Sequence, residues 1–310
     1  MRRYSFKMGG TSSVVRLMRR LPVLVMLVTL SVAHRATAQQ PARSSDSVSA
    51  RAPTHLLRTR DGSTLLGRLV SESVDTVRFE TSGGVLAYPR SQVAELKPIA
   101  AEDIRDGQYW APDPHSSRLF FGPTGRTLKQ GEKYLSDLYL FFVNGAIGVT
   151  DRLMIGGGMS LFPSSDLSYN VFFLTPKVAL VQGDQFNLSA GAFLGFVGHV
   201  NGSAGFGYLA ATSGGEHSSV TYGAGWAYVN NDVQSKPVLL LGGELRLSRR
   251  LALMSENYAY SGDASGAVVS LGLRIMGDKL STDLAFWNYV GSSNSGIFPG
   301  IPWVGFAIKF

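Results

Sequence analysis

The chain has 310 residues, of which 45% are hydrophobic and 16% charged, with 36 glycines and no cysteine. This length allows one large or two modest domains. The absence of cysteine excludes disulfides, thiolate metal sites and a cysteine nucleophile. The glycines exceed the average share of about 7%, but they follow no collagen-like period.

The first 38 residues carry the whole basic excess of the chain, whose formal net charge is +7. They contain no acidic residue and seven basic ones: Arg2, Arg3, Lys7, Arg16, Arg19, Arg20 and Arg35. Without these seven, 22 basic residues face 22 acidic ones, so the charge gives no argument for a nucleic-acid partner. An apolar run at 21–32 and the small-x-small site at 36–38 predict a secretory signal peptide over residues 1–38. An uncleaved anchor is the alternative, although the run is short for a bilayer, which needs about 20 apolar residues.

Residues 39–52 are polar and aperiodic, which predicts a flexible tether. Residues 53–98 then predict five short strands, at 56–60, 64–70, 76–80, 85–88 and 93–96. Asp61-Gly62 and a Gly83-Gly84 pair are typical of the turns between them.

The rhythm of this segment resembles that of SH3-like and Sm-like small barrels. The matching residues are Asp61, Gly62, Gly67, Phe79, Gly84, Val85, Pro89 and Val93. The resemblance implies a small SH3-like β domain over residues 53–98. RNA binding, as in true Sm proteins, is disfavoured because six basic and five acidic residues nearly cancel there, and because the chain is predicted to be exported.

Residues 99–115 contain Pro112 and Pro114 and are predicted to be a linker. Residues 116–310 predict an antiparallel meander of about twelve strands, closed into an up-and-down transmembrane β-barrel. The predicted strands are 116–122, 132–149, 152–162, 169–182, 185–198, 203–213, 217–229, 237–248, 250–261, 266–276, 278–290 and 300–310. Tight polar turns alternate with longer loops along the meander, as in outer-membrane barrels. With an even strand count, we expect the tight turns and the N-terminal domain to lie on the periplasmic side.

The faces of the predicted strands differ in polarity. Leu239, Leu241, Leu245 and Leu247 alternate with Leu240, Glu244 and Arg246, and the stretches 269–275 and 280–286 alternate likewise. We expect the apolar face to contact lipid, and at 137–142 we expect Leu138 to lie outward and Asp137 inward. Aromatic residues near strand ends predict two interfacial girdles: Tyr134, Phe162, Tyr169, Trp226, Tyr228, Tyr258, Tyr260, Trp287, Tyr289, Trp303 and Phe310. A soluble β-sandwich or lipocalin-like barrel, the alternative, would instead have a polar outward face.

The last eight residues form the clearest strand pattern. Val304, Phe306, Ile308 and Phe310 alternate with Trp303, Gly305, Ala307 and Lys309. This stretch is similar to the terminal strand of bacterial outer-membrane β-barrels. The resemblance implies that Phe306, Ile308 and Phe310 act as an assembly signal for the barrel-assembly machinery. Residues 118–134 and 148–151 resemble the opening of uncharacterised bacterial outer-membrane barrels, a resemblance that implies no substrate.

The inward-facing charged residues are the only predicted cluster of functional interest. The candidate lumen charges are Asp137, Glu244, Glu256, Asp283, Lys177, Arg246, Arg274 and Lys309. They either brace the wall by pairing or set the field of a water-filled pore. The Gly205-Phe206-Gly207 and Gly223-Ala224-Gly225 stretches open no helix, so they predict no phosphate cradle. No catalytic, cofactor-binding or metal-binding residue and no cofactor is assigned.

Three classes of function follow. The favoured one is a narrow passive channel with a charged lumen, surrounded by outer-membrane lipid. The second is an anchoring protein whose periplasmic domain binds a protein partner or the cell wall. The third is a lipid-active enzyme within the barrel wall, for which His199 and His217 are the residues to test.

Overall fold

A computed structural model describes residues 54–161, 170–197, 203–230, 232–261, 265–291 and 299–310. The predicted signal peptide and tether lie outside the described residues. The chain divides into two compact units, with the boundary between residues 112 and 113. Within the described ranges, the helices are 3₁₀ turns at Arg90–Gln92 and Ala101–Asp103. None of the helices found there is long and apolar enough to cross a membrane.

The smaller unit contains a five-stranded antiparallel sheet in the order β4-β3-β2-β1-β5. Its strands are β1 (His55–Thr59), β2 (Thr64–Glu72), β3 (Thr76–Thr81), β4 (Gly84–Pro89) and β5 (Val93–Pro98). Leu57, Val77, Phe79 and Val93 form its buried core. Five strands occur where five were predicted, because period-two apolar runs separated by glycine turns leave few alternatives. The SH3-like assignment stays a prediction.

The Asp61-Gly62 turn forms as predicted. The Asp61 carboxylate accepts hydrogen bonds from the Thr59 hydroxyl and from the Ser63 backbone N–H. The hydrogen bond from Thr59, followed by those from Ser63, holds the pKa of Asp61 below its ordinary value. Gly62 has a φ of +91°, which glycine adopts without steric cost.

The predicted linker, residues 99–115, contains a two-stranded ribbon. It consists of β6 (Ile104–Arg105) and β7 (Gln108–Tyr109). Asp106 and Gly107 form its turn with φ values of +50° and +71°. The two prolines that suggested a linker, Pro112 and Pro114, lie beyond this ribbon.

The larger unit is a closed antiparallel barrel of twelve long strands, and the predicted all-β fold class is confirmed. The strands are β8 (Lys133–Leu138), β9 (Phe142–Gly148), β10 (Leu153–Ser160), β11 (Val171–Val181), β12 (Phe186–Val197), β13 (Ser203–Gly214), β14 (Ser218–Val229), β16 (Val238–Ser248), β17 (Leu251–Tyr260), β18 (Gly266–Met276), β19 (Leu280–Gly291) and β20 (Ile301–Lys309). A two-residue strand, β15 (Asp232–Val233), pairs with β14. Pairing of β20 with β8 and of β13 with β14 closes the ring.

The two ends of the barrel differ in their connections. We call one the turn end, where residues 149–152, 182–185, 215–217, 249–250 and 277–279 join the strands. The other is the loop end, where most connections are longer. β8 begins and β20 finishes at the turn end, since Lys309 pairs with Tyr134.

The twelve wall strands are not the twelve that were predicted. Residues 116–122 belong to no wall strand, and residues 132–149 form two strands, β8 and β9, rather than one. The turn between β8 and β9 contains Tyr139 and Leu140, with φ values of +60° and +61°. Non-glycine residues rarely adopt these angles, so the sequence gives no turn signal there. The two differences cancel in the strand count.

Replacing Leu140 with glycine is expected to raise the free energy of unfolding by about 1 kcal/mol. A left-handed conformation costs a non-glycine residue about 1–2 kcal/mol, and glycine's greater unfolded-state entropy offsets part of the gain. Leu140 is exposed, so little packing is lost. Denaturant titration of the protein folded into lipid vesicles measures the change. Leu135→Gly, within strand β8, is the control and is expected to destabilise; a less stable Leu140→Gly variant would contradict the strain assigned to this turn.

The outward face of the barrel is apolar. On β16, Leu239 is 52% exposed and Leu240 only 8%. Leu271, Leu273 and Ile275 of β18 are likewise exposed, whereas Ser270 and Arg274, on the alternate positions, are buried. The longer strands of 10–12 residues match the roughly 9–11 residues that cross a bilayer.

The predicted aromatic girdles are only partly formed. Trp226 is exposed on the outer face, as expected. Tyr134 is buried, and Tyr258, Trp287 and Trp303 line the interior, where Tyr258 and both tryptophans pack against the buried core. Phe162 and Tyr169 lie outside the described residues. The position of a residue near a strand end does not decide whether its side chain faces inward or outward. Successive side chains alternate between the two faces, so the face depends on whether the residue is at an odd or an even position of the strand.

The outward face provides a direct test of the membrane environment. Leu271→Arg is expected to destabilise the barrel in a bilayer by about 2–4 kcal/mol, the cost of arginine at the lipid face near the midplane. Unfolding of both proteins from vesicles measures the difference. Val74→Arg, at an exposed position of the smaller unit, is the matched control and is expected to change little. Equal stability of Leu271→Arg and the wild type would exclude lipid at this face.

Candidate functional site in the barrel lumen

Residues 113–131 are here called the inner segment, and all of them except the exposed residues 129–131 lie inside the barrel. Arg118 and Pro123 bridge in antiparallel fashion, and Leu119 N donates to Gly122 O at 2.8 Å, so the segment forms a hairpin. Leu119 and Phe120 at its tip are buried against Leu240, Met254 and Ala285 of the wall. The apolar run 119–121 therefore packs inside the barrel instead of joining the wall as a strand.

Both arms of the hairpin lie towards the turn end. Gly131 N donates to Gly148 O at 2.9 Å, where β9 finishes. Asp113, at the other arm, contacts Arg274 two residues before the end of β18. The chain thus enters the lumen from the turn end and returns there to begin β8.

Arg274 holds the first arm of the hairpin. Its Nε and Nη2 donate to the two carboxylate oxygens of Asp283 at 2.7 and 2.9 Å, and its Nη1 donates to Asp113 Oδ2 at 2.6 Å. Its Nη2 also donates to the Leu119 carbonyl at 2.9 Å. His115 Nδ1 lies 2.9 Å from Ser281 Oγ in the same fully buried cluster. Arg274 and Asp283 are direct cross-strand partners on β18 and β19. The sheet register therefore places both charged side chains beside the inner segment.

Glu256 holds the tip of the hairpin. One carboxylate oxygen accepts from Phe121 N at 2.9 Å, and the other accepts from Gly122 N at 2.9 Å and from Tyr258 Oη at 2.6 Å. A carboxylate with both oxygens bound to N–H and O–H donors keeps a buried charge satisfied.

The second arm is held from β11, β12 and β13. Lys177 Nζ joins the two arms, because it donates to the Ser117 carbonyl of the first arm at 2.8 Å and to the Arg126 carbonyl of the second. Ser189 Oγ donates to the Thr124 carbonyl at 3.1 Å, and Gly125 N donates to Thr212 Oγ1 at 2.8 Å. A Cβ on Gly125 would lie 2.2 Å from the Asn187 carbonyl oxygen, so only glycine allows this approach.

The structure buries six of the eight predicted lumen charges in the interior: Lys177, Glu244, Arg246, Glu256, Arg274 and Asp283. Lys309 is half-buried, and its Nζ lies 2.8 Å from Glu132 Oε1. Burial raises the pKa of Glu132, but the hydrogen bond from Lys309 and neighbouring donors outweighs it and leaves that pKa below its ordinary value.

Asp137 lies elsewhere than predicted. It shares a strand face with Leu135, which is 49% exposed, while Ser136 and Leu138 are buried. Its Oδ1 accepts from Leu140 N at 2.8 Å in the β8–β9 turn. The expected faces of Asp137 and Leu138 were reversed because the turn that follows them was not recognised.

The wall charges pair with residues that sequence reasoning did not select. Asp113 pairs with Arg274 and Glu132 with Lys309, while His115 Nε2 lies 3.6 Å from Asp283 Oδ2. Asp113 and His115 lie in the predicted linker, and Glu132 is the first residue of the predicted strand 132–149. Glu244 Oε1 is buried without a hydrogen-bond partner among the described residues. His217 lies in the turn between β13 and β14, and its carbonyl accepts from Arg246 N. His199 lies outside the described residues.

A cavity of about 770 Å³ lies in the interior, lined largely by residues from the loop-end halves of the strands. One of its walls carries Phe173, Phe193 and Phe206, whose successive ring centroids are 5.0 and 5.6 Å apart. Another carries Tyr258, Trp287 and Trp303, with centroids 6.2 and 5.3 Å apart. This part of the interior is apolar and aromatic, whereas the interiors of membrane barrels are generally polar.

No group of three or more histidine, aspartate or glutamate side chains suited to a metal ion occurs among the described residues. Arg274 and Asp283 bind each other, and Arg274 and Glu256 bind the inner segment, which indicates a structural role for these three residues.

A closed antiparallel barrel with an apolar outward face and its polar side chains turned inward defines an outer-membrane β-barrel. No protein-family model matches the chain, and no curated protein matches it in sequence. Among solved structures, it is similar to the KdgM porin in complex with disordered oligogalacturonate, at 10% identity and a TM-score of 0.43, over 58% of this chain and 98% of that one.

Two further solved structures show the same likeness. A loop L8 deletion mutant of OmpT, an outer membrane protein of Vibrio cholerae, matches at 13% identity and a TM-score of 0.37, over 84% of this chain and 97% of that one. The NanC porin matches at 10% identity and a TM-score of 0.37, over 57% and 97%. At these identities and TM-scores, the likeness carries no argument about function.

Proposed function

We propose that the protein is a narrow passive channel of the outer membrane, closed by its inner segment. The observation that carries this proposal is how the hairpin is attached. As far as the structure describes them, the hydrogen bonds joining residues 117–126 to the wall each involve a side chain. The hairpin is therefore a separable part of the lumen, and its displacement leaves the wall's own hydrogen bonds intact.

The passage would be narrow and charged once the hairpin has moved. A twelve-stranded wall is only modestly wider than the eight-stranded one that side chains fill. Removing the hairpin would expose Lys177, Glu244, Arg246 and Glu256 to the opened lumen. Their charges would then set the preference for cations or anions.

Conductance in planar bilayers tests this proposal. The wild type is expected to be closed for most of the time, and replacing residues 118–123 with a glycine–serine linker is expected to give long-lived openings. Glu244→Lys in that background is expected to shift ion selectivity towards anions, while Asp151→Lys, at an exposed turn, serves as the control. A folded barrel migrates differently on a detergent gel before and after boiling. If the loop-replacement variant shows this difference but never conducts, the channel proposal is overturned.

The same proposal places the turn end, and with it residues 53–98, in the periplasm. This follows from the entry of the chain at that end and from the predicted signal peptide. Because the chain has no cysteine, Val74→Cys provides a unique label at a side chain that is 91% exposed. A membrane-impermeant maleimide is expected to label it only after the outer membrane is permeabilised; labelling in intact cells would reverse the orientation.

Anchoring is the second candidate function, and one observation favours it. The smaller unit exposes Val70, Val74, Val85 and Leu86, and exposed apolar groups mark partner surfaces when they form a patch. A photo-crosslinking residue at Val85 is expected to capture a periplasmic protein or cell-wall fragment, whereas one at Glu72 serves as the control. Repeated absence of adducts would count against a partner there.

The outward residues of β20 are also part of the proposal. Phe306, Ile308 and Phe310 are exposed on the same face. We assign them to recognition by the barrel-assembly machinery, with outer-membrane lipid as their final environment.

A further inference from the structure

The cavity at the loop end of the barrel interior has the properties of a ligand site. Its volume of about 770 Å³ lies within the range of small-molecule sites, about 300–1,000 Å³. Two rows of aromatic rings, Phe173 to Phe206 and Tyr258 to Trp303, line it. Such a lining offers favourable burial to a long apolar group.

Two cations line the same cavity without a carboxylate partner among the described residues. Arg118 is 8% exposed and Lys177 is 3% exposed, and both contribute to the lining. Lys177 donates to two backbone carbonyls, which are neutral acceptors. Arg118 donates through Nη1 to the Phe120 carbonyl and lies over the Tyr134 ring. A buried pair of cations without a counter-ion favours an anionic group beside them.

The free edge of Arg118 specifies the geometry of that anion. Its Nε and Nη2 are buried and find no acceptor within the described part of the chain. These two N–H groups form one side of the guanidinium fork, which matches the two oxygens of a carboxylate. Arg274 uses the same two atoms to bind both oxygens of Asp283.

Further donors that belong to residues lining the cavity lack acceptors as well. Trp287 Nε1, Trp303 Nε1 and Ser117 Oγ are buried without partners in the ranges the structure describes, and all three residues line the cavity. We propose that this cavity binds an amphipathic carboxylate of the fatty-acid type, with its carboxylate on Arg118 and its apolar tail between the two aromatic rows.

Quenching of tryptophan fluorescence by a dibrominated stearate tests the site on the full chain folded into lipid vesicles. Trp110→Phe and Trp226→Phe remove the two tryptophans that do not line the cavity, so that Trp287 and Trp303 report. Saturable quenching, reversed by unbrominated stearate, is expected. Quenching that rises without saturation, as lipid partitioning alone would produce, would overturn the proposal.

A second experiment tests the role of Arg118. The dibrominated acid is expected to bind about tenfold more tightly than its methyl ester, the size of effect of a charge-assisted hydrogen bond. Arg118→Gln is expected to remove this preference, whereas Arg126→Gln, on the same hairpin but outside the cavity lining, is expected to retain it. Equal binding of acid and ester by the wild type, or an unchanged preference in Arg118→Gln, would overturn the assignment.

Ala227→Phe keeps the test decisive if Arg118→Gln does not fold, because Ala227 is the cross-strand partner of Phe206 and shares its inward face. This substitution fills the cavity from a residue of its wall and leaves the cations in place. It is expected to abolish saturable quenching in a barrel that still shifts on unboiled gels. Full binding by this variant would place the ligand outside the cavity.

Discussion

Replacing Arg274 with methionine is expected to lower the free energy of unfolding by about 3–5 kcal/mol, the cost of removing one partner from a buried ion pair. Arg274 is fully buried and makes four hydrogen bonds, three of them to Asp283 and Asp113. Without the guanidinium, two carboxylates remain close together in the interior with no counter-charge. Their desolvation, rather than the loss of the contacts themselves, accounts for most of the effect.

Denaturant titration in vesicles measures this change, and two controls accompany it. Arg250→Met, at an exposed position in the turn between β16 and β17, is expected to change stability by less than about 0.5 kcal/mol. A triple variant that also replaces Asp113 and Asp283 with leucine is expected to recover much of the loss, because no buried charge is left unpaired. Full stability of Arg274→Met would show that the cluster does not brace the barrel.

Glu256→Gln is expected to increase the open fraction of the proposed channel about 100-fold. The carboxylate accepts from Phe121 N, Gly122 N and the Tyr258 hydroxyl, whereas a glutamine amide offers one acceptor oxygen and turns an NH₂ group towards the other donors. Two weakened charge-assisted hydrogen bonds of about 1.5 kcal/mol each shift the equilibrium of the hairpin by this factor.

Single-channel recording measures the open fraction, with Glu216→Gln in the β13–β14 turn as the matched control. The change in open fraction in Glu256→Gln tests two statements together: that the protein is a channel, and that Glu256 holds the hairpin in the lumen. If loop replacement at 118–123 opens the barrel but Glu256→Gln does not, the channel proposal is supported, but Glu256 is not the residue that holds the hairpin in place. If neither variant conducts, the channel proposal fails as a whole.

The wall of this barrel was predictable from its sequence because side-chain direction alternates with period two. The alternation of Leu239 with Leu240 and of Leu273 with Arg274 assigned the outer and inner faces correctly. The same rule misassigned Asp137, because it assumes that the strand continues. The turn at Tyr139 and Leu140 interrupts it without glycine, asparagine or proline.

The inner segment was not predictable by the same means. Leu119, Phe120 and Phe121 have the composition of a strand, and local sequence does not distinguish a wall strand from a hairpin enclosed by the wall. Its partners are set by tertiary structure, as when Glu256 accepts from Phe121 N across 135 positions of sequence. Asp113 and His115 lay in a presumed linker for the same reason. The inward turn of Trp287 and Trp303, which creates the aromatic cavity, depends on register and not on residue type.

The contact between Asp113 and Arg274 spans 161 positions of sequence and has a consequence for the order of folding. The hairpin precedes the first wall strand, yet its ionic partners lie on β18 and β19, among the last. Contacts of such sequence separation form slowly, because the intervening chain must be ordered first. The hairpin therefore docks as a late kinetic step, after the wall has been nearly completed around it. Until then Asp113 and His115 stay hydrated, and a nascent barrel lacks the hairpin that occupies the interior of the finished one.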